Sequence, residues 1–403
     1  MSLAQRSLDL FWVQANPGRE IAVDALGLAS QADRIADALL PKMSVLTRRA
    51  RYLSFLCSAR KKSHSLPELY RREGLLALAA ARVLESDPQH HELCPAVVGR
   101  RSTVEARATG RVSNAERLYK RRAFPDYRAL MRNLGLIGSG TFPKLLPEGE
   151  RLARAYAHHS RPSQCLCEIS SKERTIIKQL LGFDERATPD VFRLCRRDTF
   201  RTLEPYIALH ARNGVIYPGQ LLAHFRDRPK RDRDGARGSL HKAYVWELAS
   251  LALDLTFAIL AKRLHTDADS NGVASELGRA LRSSSHSPGL EFALSADDDA
   301  ARNVVGLARE ACRRYKEEMG FDPRPWWLLR MLVRDGDAKQ FVRSVLARHN
   351  SIKGGDAWIR LGANDRRIER LAASAKLLPT GAEVRSYRLR ALSDLARDLG
   401  MYR

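Results

Sequence analysis

Arg111 to Tyr156 reads RVSNAERLYKRRAFPDYRALMRNLGLIGSGTFPKLLPEGERLARAY, and its order of local signals decides the fold. Ser113-Asn-Ala-Glu116 has capping-box spacing, which predicts a helix start. Pro125 suits the first turn of a second helix, where its missing N–H costs nothing. Tyr127, Leu130, Met131 and Leu134 recur at helical spacing, and Gly135 ends the run. Leu136-Ile137 and Leu145-Leu146 can pair as short strands around the tip Gly138-Ser139-Gly140-Thr141-Phe142, and Pro147-Glu148-Gly149-Glu150 opens another helix. Two helices, a strand, a Gly-rich tip, a strand and a helix follow the order of a winged helix. In that geometry Arg121, Arg122, Arg128, Arg132 and Lys144 lie on or beside the recognition helix and wing. Such a helix enters the major groove while the basic tip meets phosphates. The same elements can also serve only packing or protein contacts.

Outward from this module the chain reads as mainly α, multi-helical, with few short β-hairpins. The expected divisions are an N-terminal helical region (1–110), the winged-helix-like module (111–160), a basic helical region (161–225), a flexible basic loop (226–239) and a C-terminal helical domain (240–403). Ser30 can cap a helix that Pro41 stops, and a second helix spans about Thr47 to Lys62. Arg60, Lys61 and Lys62 at its C-terminal end complement the helix dipole. Further helices are expected over 66–84, 169–183, 203–212, 215–225 and 240–264. Residues 267–299 read as a partly ordered insertion around a short helical piece, and 366–402 as one or two basic helices.

Lys plus Arg number 69 against 46 Asp plus Glu, a formal charge of +23. That excess attracts polyanions, so nucleic acid is the expected partner, with an acidic protein face as the alternative. None of the six cysteines forms a C-x-x-C pair, which suits reduced thiols in a cytoplasmic protein. His90, His91 and Cys94 lack a fourth ligand nearby, and no cofactor or metal is expected. No signal-peptide pattern opens the sequence. The most apolar run, 243–261, carries Glu247 and Asp254 and reads as a buried helix, so no membrane span is expected. Those two carboxylates share a helix face but are expected to pair with arginines rather than hold a metal.

Other basic segments extend the candidate interface. Arg193, Arg196, Arg197 and Arg201 make one helix flank positive, and Lys230 and Arg231 sit in the 226–238 run RDRPKRDRDGARG. Arg348, His349, Lys353 and Arg360 surround a Gly354-Gly355 turn anchored by Trp358, a setting that suits a phosphate without being a P-loop. Trp326 and Trp327 are expected to anchor a core or interface, base stacking being the alternative.

Asp24-Ala-Leu-Gly-Leu, a helix ending Leu-Leu-Pro, and Leu46-Thr-Arg-Arg-Ala-Arg-Tyr-Leu-Ser-Phe-Leu together resemble the N-terminal portion of an uncharacterised bacterial family. Its members tend to be encoded near anti-phage defence and mobile-element genes, and Cys57-Ser58 stands where they often carry Trp. The resemblance implies a biological setting and no chemistry. The sequence has no G-x-S-x-G, H-E-x-x-H or G-x-x-x-x-G-K-[ST]. Arg343 and His349 resemble the Arg-to-His spacing of helical RNases of the HEPN class, as do Arg154 and His159, although Ser344 departs from the usual residue after the Arg. The resulting expectation is a non-catalytic nucleic-acid-binding subunit, DNA favoured over RNA, whose protein partner supplies catalysis. A metal-independent RNase using Arg343 and His349 is one alternative. A scaffold docking an acidic partner is the other.

Overall fold

A computed structural model of the chain describes residues 24–44, 46–47, 49–86, 122–157, 169–183, 197–213, 225–226, 236–263, 270–283, 297–353, 359–361, 368–370 and 387–402. These residues are mainly α-helical and fall into two compact units, each discontinuous in sequence. One, here the tip unit, takes its described residues from 36–216, 232–237 and 386–403; the other, the latch unit, from 1–35, 217–231 and 238–385.

In the tip unit, α2 (Arg51–Lys61) is the central helix. It is buried along most of its length and packs on α3 (Leu66–Ser86), α4 (Ala123–Asn133) and α5 (Pro147–Ala157). α6 (Ser171–Leu181) packs on α5, and α7 (Arg197–Asn213) packs on α13 (Leu389–Asp398). Some helix ends follow local rules. Ser170 and Glu173 form a capping box at α6, and Gly182, at φ 80°, closes it in the left-handed conformation that glycine tolerates. Other ends are capped from far away. Arg122 gives α4 no side-chain cap, and the buried Glu73 of α3 supplies it by accepting from Ala123 N–H at 2.6 Å and Phe124 N–H at 3.2 Å. Asp398 of α13 accepts from Ala50 N–H at 3.0 Å and pairs with Arg49 Nε at 2.9 Å, and burial raises its pKa despite that pair. Buried hydroxyls are matched as well: Tyr127 bonds both the N–H and the carbonyl of Arg49, and Ser54 donates to Glu173 at 2.6 Å.

In the latch unit, α8 (Ala236–Arg263) is apolar on all sides, as a core helix must be. Gly238–Leu260 is long and apolar enough to cross a membrane, and 89% of its most apolar window is buried within the protein. α9 (Ser270–Ser283) packs on α10 (Asp297–Arg314), and α11 (Pro323–Val333) packs on α10 and α12 (Ala338–Lys353). Ile359–Leu361 (β1) and Ile368–Arg370 (β2) pair antiparallel, with Arg360 opposite Glu369.

Several elements differ from the sequence reading. α1 (Ala29–Leu39) is capped not by Ser30, which lies inside it, but by Asp24, whose carboxylate accepts from Leu28 N–H at 2.5 Å and Ala29 N–H at 2.8 Å across the Gly27 turn. α8 begins at Ala236, so residues 236–239 belong to a helix rather than a loop. Residues 270–283 are a regular helix, and 368–370 are a strand where a helix was expected. α7 starts at Arg197 and runs through Pro205, whose ring removes one backbone donor without ending the helix.

Candidate nucleic-acid interface

The turn between α4 and α5 positions the cationic side chains of the tip unit. Gly135, at φ 66°, ends α4, and the N–H of Leu136 reaches back to Met131 O at 2.9 Å. Leu146 N–H donates to Leu136 O at 3.0 Å and Gly138 N–H to Lys144 O at 2.9 Å, around an isolated antiparallel bridge between Ile137 and Leu145. Leu136 and Ile137 point into the core, whereas Ser139, Gly140 and Thr141 stand exposed at the tip. Gly149 lets α5 start this close to the turn, since a Cβ there would lie 2.1 Å from Leu136 O.

Two arginines hold the tip. Arg60, near the end of α2, donates from Nε to Pro143 O at 2.6 Å, and its guanidinium lies 3.5 Å from the centre of the Phe142 ring. Partial burial lowers its pKa, but from a reference so high that the group stays cationic. Arg128 of α4 donates to Gly140 O. Both guanidiniums are bonded to carbonyls, so their positive charge is not cancelled by a carboxylate at the tip. Beside them Lys61, Lys62 and Lys144 are exposed, and Arg132 stands exposed one turn beyond Arg128 on α4. Lys61, Lys62, Lys144 and Arg132 form no ion pair among the described residues.

The structure thus joins Arg128 to the turn that carries Lys144 and adds Arg60, with Arg132, Lys61 and Lys62 exposed on the two helices that hold the turn. Sequence reasoning missed Arg60, Lys61 and Lys62 because the helix dipole already accounted for cations at a helix end. Arg122 differs: it is half-buried, donates to Tyr70 O at 3.2 Å and lies 5.0 Å over the Tyr70 ring, so it ties α3 to α4. Arg121, Arg196, Lys230, Arg231 and the His90–Cys94 cluster lie outside the described residues, as do the side chains of Arg197, Lys353 and Arg360.

Arg348 and His349 require a correction. Arg348 donates from Nε to Leu26 O at 2.6 Å, has Asp322 at 3.7 Å, and keeps only 9% of its side chain exposed. His349 is fully buried, with Nδ1 2.9 Å from Ala25 O and its ring 4.6 Å from that of Phe257. Both side chains fasten the 24–28 segment to α12 and neither is presented to a ligand. Burial of His349 counts against the RNase alternative, because a proton-transferring imidazole must reach the phosphate it serves. His159 lies outside the described residues. Among the described residues no group of three His, Cys, Asp or Glu side chains is placed to hold a metal ion. Trp326 is buried, and Trp327 is 58% exposed.

Comparison of the chain with protein-family models, with curated proteins and with solved structures returned no match.

Proposed function

We propose that this chain binds nucleic acid through phosphates, preferring DNA to RNA, at the basic tip formed by the end of α2, α4 and the turn before α5. The observation that carries this reading is a turn gripped by Arg60 and Arg128, with Lys144 exposed in the turn and Lys61, Lys62 and Arg132 exposed on the helices that hold it. Exposed cations without carboxylate partners retain their charge for an incoming phosphate, and the overall +23 draws polyanions toward them. Read as a winged-helix-like module, α4 is the recognition helix and residues 138–144 are the wing, which favours a duplex. With phosphates as the main contacts, binding is tolerant of sequence.

The resemblance of residues 24–56 supports reading this activity as part of a cytoplasmic bacterial anti-phage defence or mobile-element system. On this reading the chain is a binding subunit, and a second protein supplies the chemistry. The test is titration of labelled duplex DNA and RNA with the 403-residue chain across a salt series. Affinity for duplex DNA falls steeply with salt, and Lys61→Glu with Lys62→Glu weakens it. Absence of duplex binding at low salt refutes the proposal and leaves the positive charge to an acidic protein partner.

A further inference from the structure

Trp327 is the most exposed large hydrophobic side chain among the described residues, at 58%. Its backbone is held firmly. Asp322 caps α11 by accepting from Arg324 N–H at 3.1 Å, and Pro323 starts the helix. About 100° round the helix, Trp326 stacks on Tyr315 at 4.3 Å and on Phe321 at 5.8 Å, and meets Trp246 edge-on at 6.4 Å. That aromatic cluster fixes the rotation of α11 and therefore the direction in which Trp327 leaves it.

Arg324 and Arg334 share this outer face with the exposed Pro323 and the half-buried Met331. Arg324, three residues before Trp327, is 71% exposed and shares Asp322 with Arg348 at 3.5 and 3.7 Å. Arg334, seven residues after it, is exposed and forms no ion pair among the described residues. Helical rise sets the Cα atoms of these arginines roughly 5 and 10 Å along the axis on either side of that of Trp327. Asp335 and Asp337 follow the helix end, and the Asp337 carboxylate accepts from Gln340 N–H. Arginines thus stand on both sides of this indole along the helix. An aromatic face between cations matches an unpaired base flanked by its phosphates, and every base offers a π-face.

We infer that Trp327, flanked by Arg324 and Arg334, is a stacking platform for an unpaired base of single-stranded nucleic acid, separate from the basic tip. The inference rests on the nucleic-acid reading above and extends it to a second site with a different strand preference.

The experiment measures binding of a labelled oligothymidylate and of a labelled duplex to the 403-residue chain at low salt, with sedimentation run in parallel. Trp327→Ala lowers single-strand affinity roughly ten-fold, Trp327→Phe stays within about two-fold of wild type, and duplex affinity is unchanged. Single-strand binding indifferent to Trp327→Ala, with duplex binding intact, overturns this inference alone. Binding of neither probe by the wild-type chain overturns it together with the basic-tip reading. A change of oligomeric state in Trp327→Ala without loss of oligothymidylate binding also overturns it and assigns the indole to a protein contact.

Discussion

Arg60 Nε donates to Pro143 O at 2.6 Å, joining the last turn of α2 to the wing-like turn more than eighty residues later. Because the same guanidinium covers the Phe142 ring, one side chain sets the position of the tip and contributes charge beside it. Lysine keeps the charge but has neither the planar fork nor an Nε donor. Arg60→Lys is therefore expected to weaken duplex binding about five-fold, the value of one hydrogen bond, while leaving the salt slope unchanged. Fluorescence anisotropy at three or more salt concentrations separates these two effects.

Glu73 controls stability rather than binding. Its buried carboxylate is the acceptor for both Ala123 and Phe124 N–H groups, so Glu73→Ala strands two donors at a buried helix start. The expected cost is about 2 kcal/mol, visible as a lower urea midpoint at unchanged slope. Glu73→Gln keeps an acceptor and should recover part of the loss.

Gly149 offers a steric test of how closely the turn and α5 approach. Alanine there would set Cβ against the backbone carbonyl of Leu136, at 2.1 Å in the present geometry, and backbone cannot swing aside as a side chain can. Gly149→Ala should cost about 1–3 kcal/mol by overpacking, although alanine is ordinarily the better helix former. An unchanged thermal midpoint would mean that the turn and α5 are not in this contact.

Arg51 points the other way. It is 5% exposed, with Nε and one terminal nitrogen lacking hydrogen-bond partners among the described residues and its guanidinium 5.3 Å from the Tyr156 ring. A buried cation without a carboxylate is costly, while its stem packs as an apolar chain would. Arg51→Met is expected to leave the thermal midpoint unchanged or raise it.

Legibility in the sequence followed the range of the interaction. Gly135 and Pro147 marked helix ends correctly, because each acts on backbone within a few residues. Ser30 misled because the competing cap, Asp24, reaches two N–H groups across a glycine turn. Glu73 at α4 and Asp398 at Ala50 act across 50 and 348 residues, and no local pattern encodes such pairings. The candidate site divided along the same line. Arg128, Arg132 and Lys144 were legible because one helix and one turn carry them. Lys61 and Lys62 became part of it only when α2 came to rest beside Pro143. Arg348 and His349 read as a ligand cluster because their acceptors, the carbonyls of Leu26 and Ala25, lie more than three hundred residues away.

The central claim is that exposed cations at this tip bind phosphates. Its most direct measurement is the salt dependence of duplex DNA binding by wild type, by Arg132→Glu with Lys144→Glu, and by Arg154→Glu, a control whose side chain is 60% exposed and 3.9 Å from Glu150. If Arg132 and Lys144 each neutralise a phosphate, the double variant loses affinity and its log–log salt slope becomes shallower by about 2, with the control close to wild type. Equal slopes and equal affinities for all three proteins would contradict the account.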